Sequence, residues 1–313
     1  MTKKYSFFVG LIAILPFWSQ AANPANPKNK DTKDSTELIT KKVNKKHSII
    51  TTLDSALNAW YTKQNTLDTS RISNGKTQFP KNKIPEYSDS FYQARLKVLD
   101  ETSPINFTLN NWVKSFINLY AFDRRDQVEQ MLGLSHYYFP KFESELDKHG
   151  LPLRLKYLPV IESALNTHAV SSMGANGLWQ FMYTTGKQYG LQVTTYVDER
   201  RDPTASTEAA VEYMKDMYRI YEDWLMVIAS YNCGPGNVNK AIRRAGYSDN
   251  FWDVYPYLPR ETRGYVPAFI AAAHVFENNE AHNLFPKVPD FPTTTDTIMI
   301  NEKLHFKTIA KGM

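Results

Sequence analysis

Cysteine is all but missing: Cys233 stands alone in 313 residues. That excludes a disulfide framework, and a thiol nucleophile would need a positioned histidine that no motif supplies. Cys233 is expected to be a small packing residue. The seven histidines show no metal-ligand spacing such as H-E-x-x-H, so neither a metal nor another cofactor is expected, and His168 reads as a surface or packing residue. Alternating strand patterns are scarce, which leaves a mainly α chain. No excess of charge lies in the body of the protein. The formal total is +5, yet Lys3 and Lys4 carry +2 and the segment Asn23 to Ser48, with seven Lys against three acids, carries +4, so residues 49–313 hold −1. A nucleic-acid binder would leave a basic footprint there, and none is present.

The basic start has its own meaning. Lys3 and Lys4 precede an apolar run from Tyr5 to Trp18 and then Ser19-Gln20-Ala21-Ala22, the pattern of a secretory signal peptide, residues 1–21, cleaved after Ala21 or Ala22. The run is shorter than the ~20 residues of a membrane span. An uncleaved anchor is the alternative. A lipid anchor would need a cysteine just after the cleavage site, so the chain reads as exported to the periplasm or cell envelope and not as a lipoprotein. Residues 22–48 are polar and aperiodic, a disordered linker that a basic balance lets touch anionic polymer or membrane surface only weakly.

From residue 49 to about 290 helical patterns dominate. They cover Ile50 to Trp60, Phe91 to Leu99, Leu109 to Phe122 and Gln127 to His149, the last ended by Gly150 with Pro152 opening the next helix. Asn65 to Glu86, with Gly75, Pro80 and Pro85, reads as a loop. Asp202-Pro203 can cap and start a helix to about Tyr221, with Val211, Met214, Tyr218 and Tyr221 as a core stripe. Trp224 to Ala229 reads as a short apolar helix delivering Tyr231 and Asn232 to the turn Gly234-Pro235-Gly236. Residues 291–313 are a tail of unknown role.

The chain is organised around Leu151 to Met182. Leu155, Leu158, Ile161 and Leu165 recur at helical spacing, and Glu162 sits at the edge of that stripe. A carboxyl group half removed from water has a raised pKa and can hold a proton near neutrality; a cap or ion pair is the plainer reading of one such Glu. Downstream, Gly174 to Met182 makes a glycine-punctuated turn into Trp179 and Gln180, an aromatic and an amide that together suit the flat faces and hydroxyl edges of a sugar.

Three blocks in order, E-S-x-x-N with S-x-x-G-A-x-G-L-x-Q-F-M, then Ala229 to Gly236, then Glu261 to Pro267, with Asp198 to Pro203 between the first two, resemble the catalytic domain of lytic transglycosylases of the membrane-bound D type. The resemblance covers about residues 90–290, with the motif-bearing core at about 134–285. It implies a lysozyme-like (goose-type, soluble lytic transglycosylase) helical domain with a sugar-binding cleft. LysM repeats, frequent after this domain, are not recognisable beyond Pro286. Thr167, Tyr183 and Cys233 depart from the pattern beside the cleft motifs, which touches subsite shape more than chemistry.

The resemblance also implies the reaction. Glu162 would be the single acid and base that breaks the bond between N-acetylmuramic acid and N-acetylglucosamine, leaving a 1,6-anhydro end. Ser171, Gln180 and Met182 would bind the muramoyl unit, Tyr231 and Asn232 would orient sugar and acid, and Tyr265 would reach the acid or the acetamido group; Ser163 reads as a backbone-bonding residue. Peptidoglycan strands are the expected partner, with other cell-wall enzymes beside them and no nucleic acid. A muramidase would need a second carboxylate, for which Asp198, Asp202, Glu208 and Asp223 are candidates. A non-catalytic wall-binding protein is the third reading.

Overall fold

A computed structural model describes residues 79, 80, 82–289 and, near the C-terminus, 303, 305, 307 and 308. The expected signal peptide and linker, the helix expected over Ile50 to Trp60, most of the loop expected over Asn65 to Glu86 and nearly all of the tail lie outside the described residues.

Among the described residues there are ten α-helices and no strand, only isolated bridges: α1 Asp89–Glu101, α2 Asn111–Asn118, α3 Arg125–Lys148, α4 Leu158–Ser163, α5 Tyr183–Gln188, α6 Pro203–Tyr221, α7 Trp224–Cys233, α8 Pro235–Arg244, α9 Phe251–Val254 and α10 Tyr265–Glu277. The mainly α expectation holds. Local chemistry explains most boundaries. Asn110 caps α2 by accepting from Val113 N, and Asp202 Oδ1 caps α6 by accepting from Thr204 N and Ala205 N at 2.8 Å, with Pro203 in the first turn. Gly150, at φ 68°, stops the chain just past α3. The helix expected over Leu109 to Phe122 is present but changes its winding to a π-turn at Leu119–Asp123.

Helix α10 is the axle. Its side chains from Tyr265 to Phe276 are buried all round, as expected of a helix with no polar face, and it packs on α2, α4 and α7. In α6, Val211 and Met214 are buried and Tyr218 stacks on Trp224 at 4.1 Å, so that stripe is core.

Two expectations need correction. Leu165 does not continue the helix of Leu158 and Ile161. Helix α4 stops at Ser163, and Ala164 and Leu165 turn left-handed at φ 52° and 61°, with Leu165 N donating to Pro159 O at 3.3 Å. This is a Schellman-like closure made without glycine, so no glycine marked it in the sequence. Leu165 still reaches the core, at 1 % exposure. Left-handed residues other than glycine cost roughly 1–2 kcal/mol each, strain that sits directly after Glu162. The apolar helix expected to end at Ala229 instead runs to Cys233, so Tyr231 and Asn232 ride in its last turn.

Candidate active site

Glu162 lies in the last turn of α4, behind the fully buried Leu155, Leu158 and Ile161. Helix α10 begins against it: the Tyr265 hydroxyl donates to Glu162 Oε1 at 2.5 Å. The residue keeps a partly exposed side, yet its carboxyl is enclosed enough that burial pushes its pKa up from 4.5 to about 7, with the Tyr265 hydrogen bond opposing the rise. Neither cause is a second carboxylate. A group poised there can give a proton and take one back at neutral pH. Burial and the Glu162 charge hold the Tyr265 phenol well above its ordinary pKa, so it stays a donor.

The loop 169–181 meets α4 next to Glu162, where Ser163 Oγ donates to Leu178 O at 2.8 Å, and it is clamped. Arg200, buried, pairs with Asp198 through Nε at 2.9 Å and Nη2 at 2.7 Å and donates from Nη1 to Gly174 O at 3.0 Å and Phe181 O at 3.2 Å, tying both ends of the turn. Asn176 donates to Asp198 and accepts from Arg201. Gly177 lets the loop lie on this clamp, since a Cβ there would stand 1.7 Å from Arg200 O. The clamp was missed as a device in the sequence, where the acid-base run Asp198 to Asp202 was its visible trace.

The motif residues then fall into place. Ser163 donates to the backbone, with Leu178 O at 2.8 Å and Pro159 O at 3.1 Å, and Tyr231 donates to Trp179 O at 2.8 Å. Gln180, left-handed at φ 48°, sends Nε2 back to Ala169 O at 3.0 Å and Gly177 O at 2.8 Å. Ser171 Oγ accepts from Ala175 N at 3.0 Å within its own turn. Met182 and Asn232 are exposed, Met182 as the residue before α5 and Asn232 at the end of α7. Among the described residues the hydrogen bond to the Glu162 carboxyl comes from Tyr265, while Ser171 and Gln180 direct theirs into the loop. Val170, Met173, Met182 and Tyr183 stand exposed on and just after this loop. Thr167 and His168 bond each other at the surface, and burial raises the Cys233 thiol pKa.

Trp179 is not a platform for sugar. It is fully buried, its indole N–H donates to Thr207 Oγ1 at 2.9 Å and its ring meets Phe142 edge-on, because a clamped turn carries this side chain into the core. Three of the four candidates for a second carboxylate are engaged elsewhere, and the fourth is exposed. Asp198 is held by Arg200, which keeps its pKa below the ordinary value; Asp202 caps α6; Asp223 caps α7, accepting from Met226 N at 2.7 Å; Glu208 is exposed on α6.

Residues 141–252 match the family described as Transglycosylase SLT domain. The chain is 38% identical over 157 residues to the membrane-bound lytic murein transglycosylase D of Escherichia coli K12, an alignment covering 49% of this chain and 33% of that protein. It therefore spans about a third of that relative's length. Among solved structures, the 70 kDa soluble lytic transglycosylase SLT70 of E. coli matches over 80% of this chain and 44% of that one with 18% identity and a TM-score of 0.42. The Pseudomonas aeruginosa lytic transglycosylase Slt matches over 49% of this chain and 26% of its own, with 22% identity and a TM-score of 0.37. Over the segment that holds Glu162, the clamped loop and Tyr231, the chain is thus similar to the transglycosylase SLT domain, the likeness its three motif blocks had indicated.

Proposed function

We propose that this chain is a peptidoglycan lytic transglycosylase with a lysozyme-like catalytic domain. The observation that carries the reading is a single carboxyl group, Glu162, brought to a pKa of about 7 by burial and held by Tyr265, with no carboxylate among the causes of its shift. A two-carboxylate hydrolase needs a nucleophile or base across the sugar. One acid suffices when the nucleophile is part of the substrate.

Protonated Glu162 gives its proton to the oxygen that joins the muramoyl C1 to the next sugar, and the C1–O bond breaks. Positive charge develops at C1 beside a carboxylate that is now anionic. Glu162 then accepts the proton of the muramoyl C6 hydroxyl as that oxygen bonds to C1, closing the 1,6-anhydro ring without consuming water. A tethered hydroxyl has an effective concentration that reaches ~10⁵ M or more, which is why water loses the competition. Ser171, Gln180, Met182 and Asn232 surround the substrate on this reading, with the exposed Met182 and Tyr183 offering apolar faces to sugar rings. On this reading the chain is exported by residues 1–21, carries residues 22–48 as a polar linker, and acts in the periplasm through residues 49–290. No described helix is long and apolar enough to cross a membrane.

Mass spectrometry of products released from purified peptidoglycan tests this. Muropeptides lighter by one water than their reducing counterparts, and inert to borohydride, are expected. Reducing ends would make the protein a muramidase, and no products would leave a wall-binding protein.

A further inference from the structure

Tyr231 does something other than touch sugar. Two consecutive carbonyls of the clamped loop, Leu178 O and Trp179 O, each receive a hydroxyl from a different helix: Ser163 of α4 at 2.8 Å and Tyr231 of α7 at 2.8 Å. The next residue, Gln180, is left-handed at φ 48°, a conformation a glutamine keeps only when its surroundings impose it. The far side of the same turn is fixed by the Trp179 indole on Thr207 and by Arg200 on Phe181 O. The Tyr231 ring is wedged edge-on between Tyr213 at 5.2 Å and Phe181 at 6.3 Å, and Ser163, which holds the neighbouring carbonyl, is the residue next to Glu162 in α4. A phenol has one hydrogen to give, and this one is given to Trp179 O.

We propose that Tyr231 is a positioning residue whose hydroxyl pins the strained turn Leu178 to Phe181 against Glu162 and so keeps water away from the carboxyl. The inference rests on the transglycosylase reading for its kinetic test but not for its titration test. Without the hydroxyl, Trp179 O is left unpaired, the turn relaxes, water approaches Glu162, and the carboxyl moves back toward its solvated behaviour.

The experiment is Tyr231→Phe, which keeps the ring and removes only the oxygen, beside Thr207→Val, which unfastens the same turn from its core side. For Tyr231→Phe, kcat on soluble glycan strands should fall about tenfold or more with KM within about twofold, and the basic limb of the kcat/KM profile should move to lower pH. Thr207→Val should lower Tm and leave the limb in place, because Trp179 O keeps its hydroxyl; a limb moved as far as in Tyr231→Phe would make any loosening of the turn sufficient and overturn the role of the Tyr231 hydroxyl. A raised KM with an unmoved limb would make Tyr231 a sugar ligand and overturn the proposal, as would a Tyr231→Phe protein indistinguishable from wild type. Should Tyr231→Phe fail to fold, Ser163→Ala loosens the neighbouring carbonyl and must shift the limb the same way, or the proposal falls. The Glu162 carboxyl can also be titrated directly by ¹³C NMR, with Glu162→Gln identifying its resonance. A lower midpoint in Tyr231→Phe supports the positioning role even if wild type releases no products, and an unchanged midpoint overturns it.

Discussion

The two ends of α10 hold titratable groups in opposite situations. At its start, Tyr265 bonds Glu162, whose carboxyl is enclosed, with a pKa near 7, while the residue as a whole stays half-buried. At its far end, His274 Nε2 lies 3.2 Å from His282 Nε2, both rings fully buried, both Nδ1 atoms without a hydrogen-bond partner among the described residues, and Tyr92 stacked on His282 and edge-on to His274. Burial drives these imidazoles down to about 3 and about 4. The same physics acts at both ends, since loss of water favours the neutral form whichever sign the charged form has. What separates them is access. The residue Glu162 keeps a partly exposed side, whereas the histidine rings are sealed and burial holds them neutral at neutral pH. A perturbed pKa marks a site only when something can reach the group.

The largest expected effect concerns proton transfer. Glu162→Gln should lower turnover of peptidoglycan by about 10³-fold or more, because on the proposed mechanism one group performs both proton steps. Circular dichroism should show the helical fold intact.

The same substitution should stabilise the protein at alkaline pH. Folding raises the Glu162 pKa, so the folded state binds a proton that the unfolded chain lacks between pH 4.5 and about 7, and stability falls as pH rises through that window. Above pH 7 the loss amounts to about 3 kcal/mol. Denaturant melts should therefore show Glu162→Gln more stable than wild type at pH 8, with the gain vanishing at pH 4.

The histidine pair has the opposite sign. Its folded pKa values lie below the unfolded value, so its stability is fully present above pH 6.5 and is lost as pH falls, at about 1.4 kcal/mol per unit for each ring. Between pH 6.5 and 5 Glu162 offsets one ring. From these three groups wild type should thus lose stability on acidification less steeply than Glu162→Gln, readable as the difference in slope of stability against pH.

The smallest effect is at Tyr265. Its hydroxyl lowers the Glu162 pKa, so Tyr265→Phe should move the basic limb of the pH-rate profile upward, a direction opposite to that of Tyr231→Phe. Coincident limbs would mean that the two tyrosines do not act on Glu162 separately.

Local signals were legible in the sequence. Asp202-Pro203 opened α6, Gly150 closed α3, and helical spacing put Leu155, Leu158 and Ile161 in the core. Glu162 stood out because a charge interrupts an apolar stripe. The unreadable parts depend on distant contacts or on backbone without its usual residues. Tyr265 meets Glu162 across 103 positions, the histidine rings pair around a loop end, and Ala164, Leu165 and Gln180 turn left-handed with no glycine to announce it. Trp179 misled because an aromatic beside an amide looks alike whether it faces a cleft or a core, and the Thr207 hydroxyl that takes its indole lies 28 residues on.

The most direct test of the account is the ¹³C titration of the Glu162 carboxyl in the wild-type protein. One transition with its midpoint near pH 7 is predicted, the behaviour of a single enclosed carboxyl held by a tyrosine. A midpoint near the ordinary value of 4.5 would show a solvated group unfit to give a proton at neutral pH, and a two-step titration would reveal a second carboxylate sharing the site; either contradicts the one-acid mechanism.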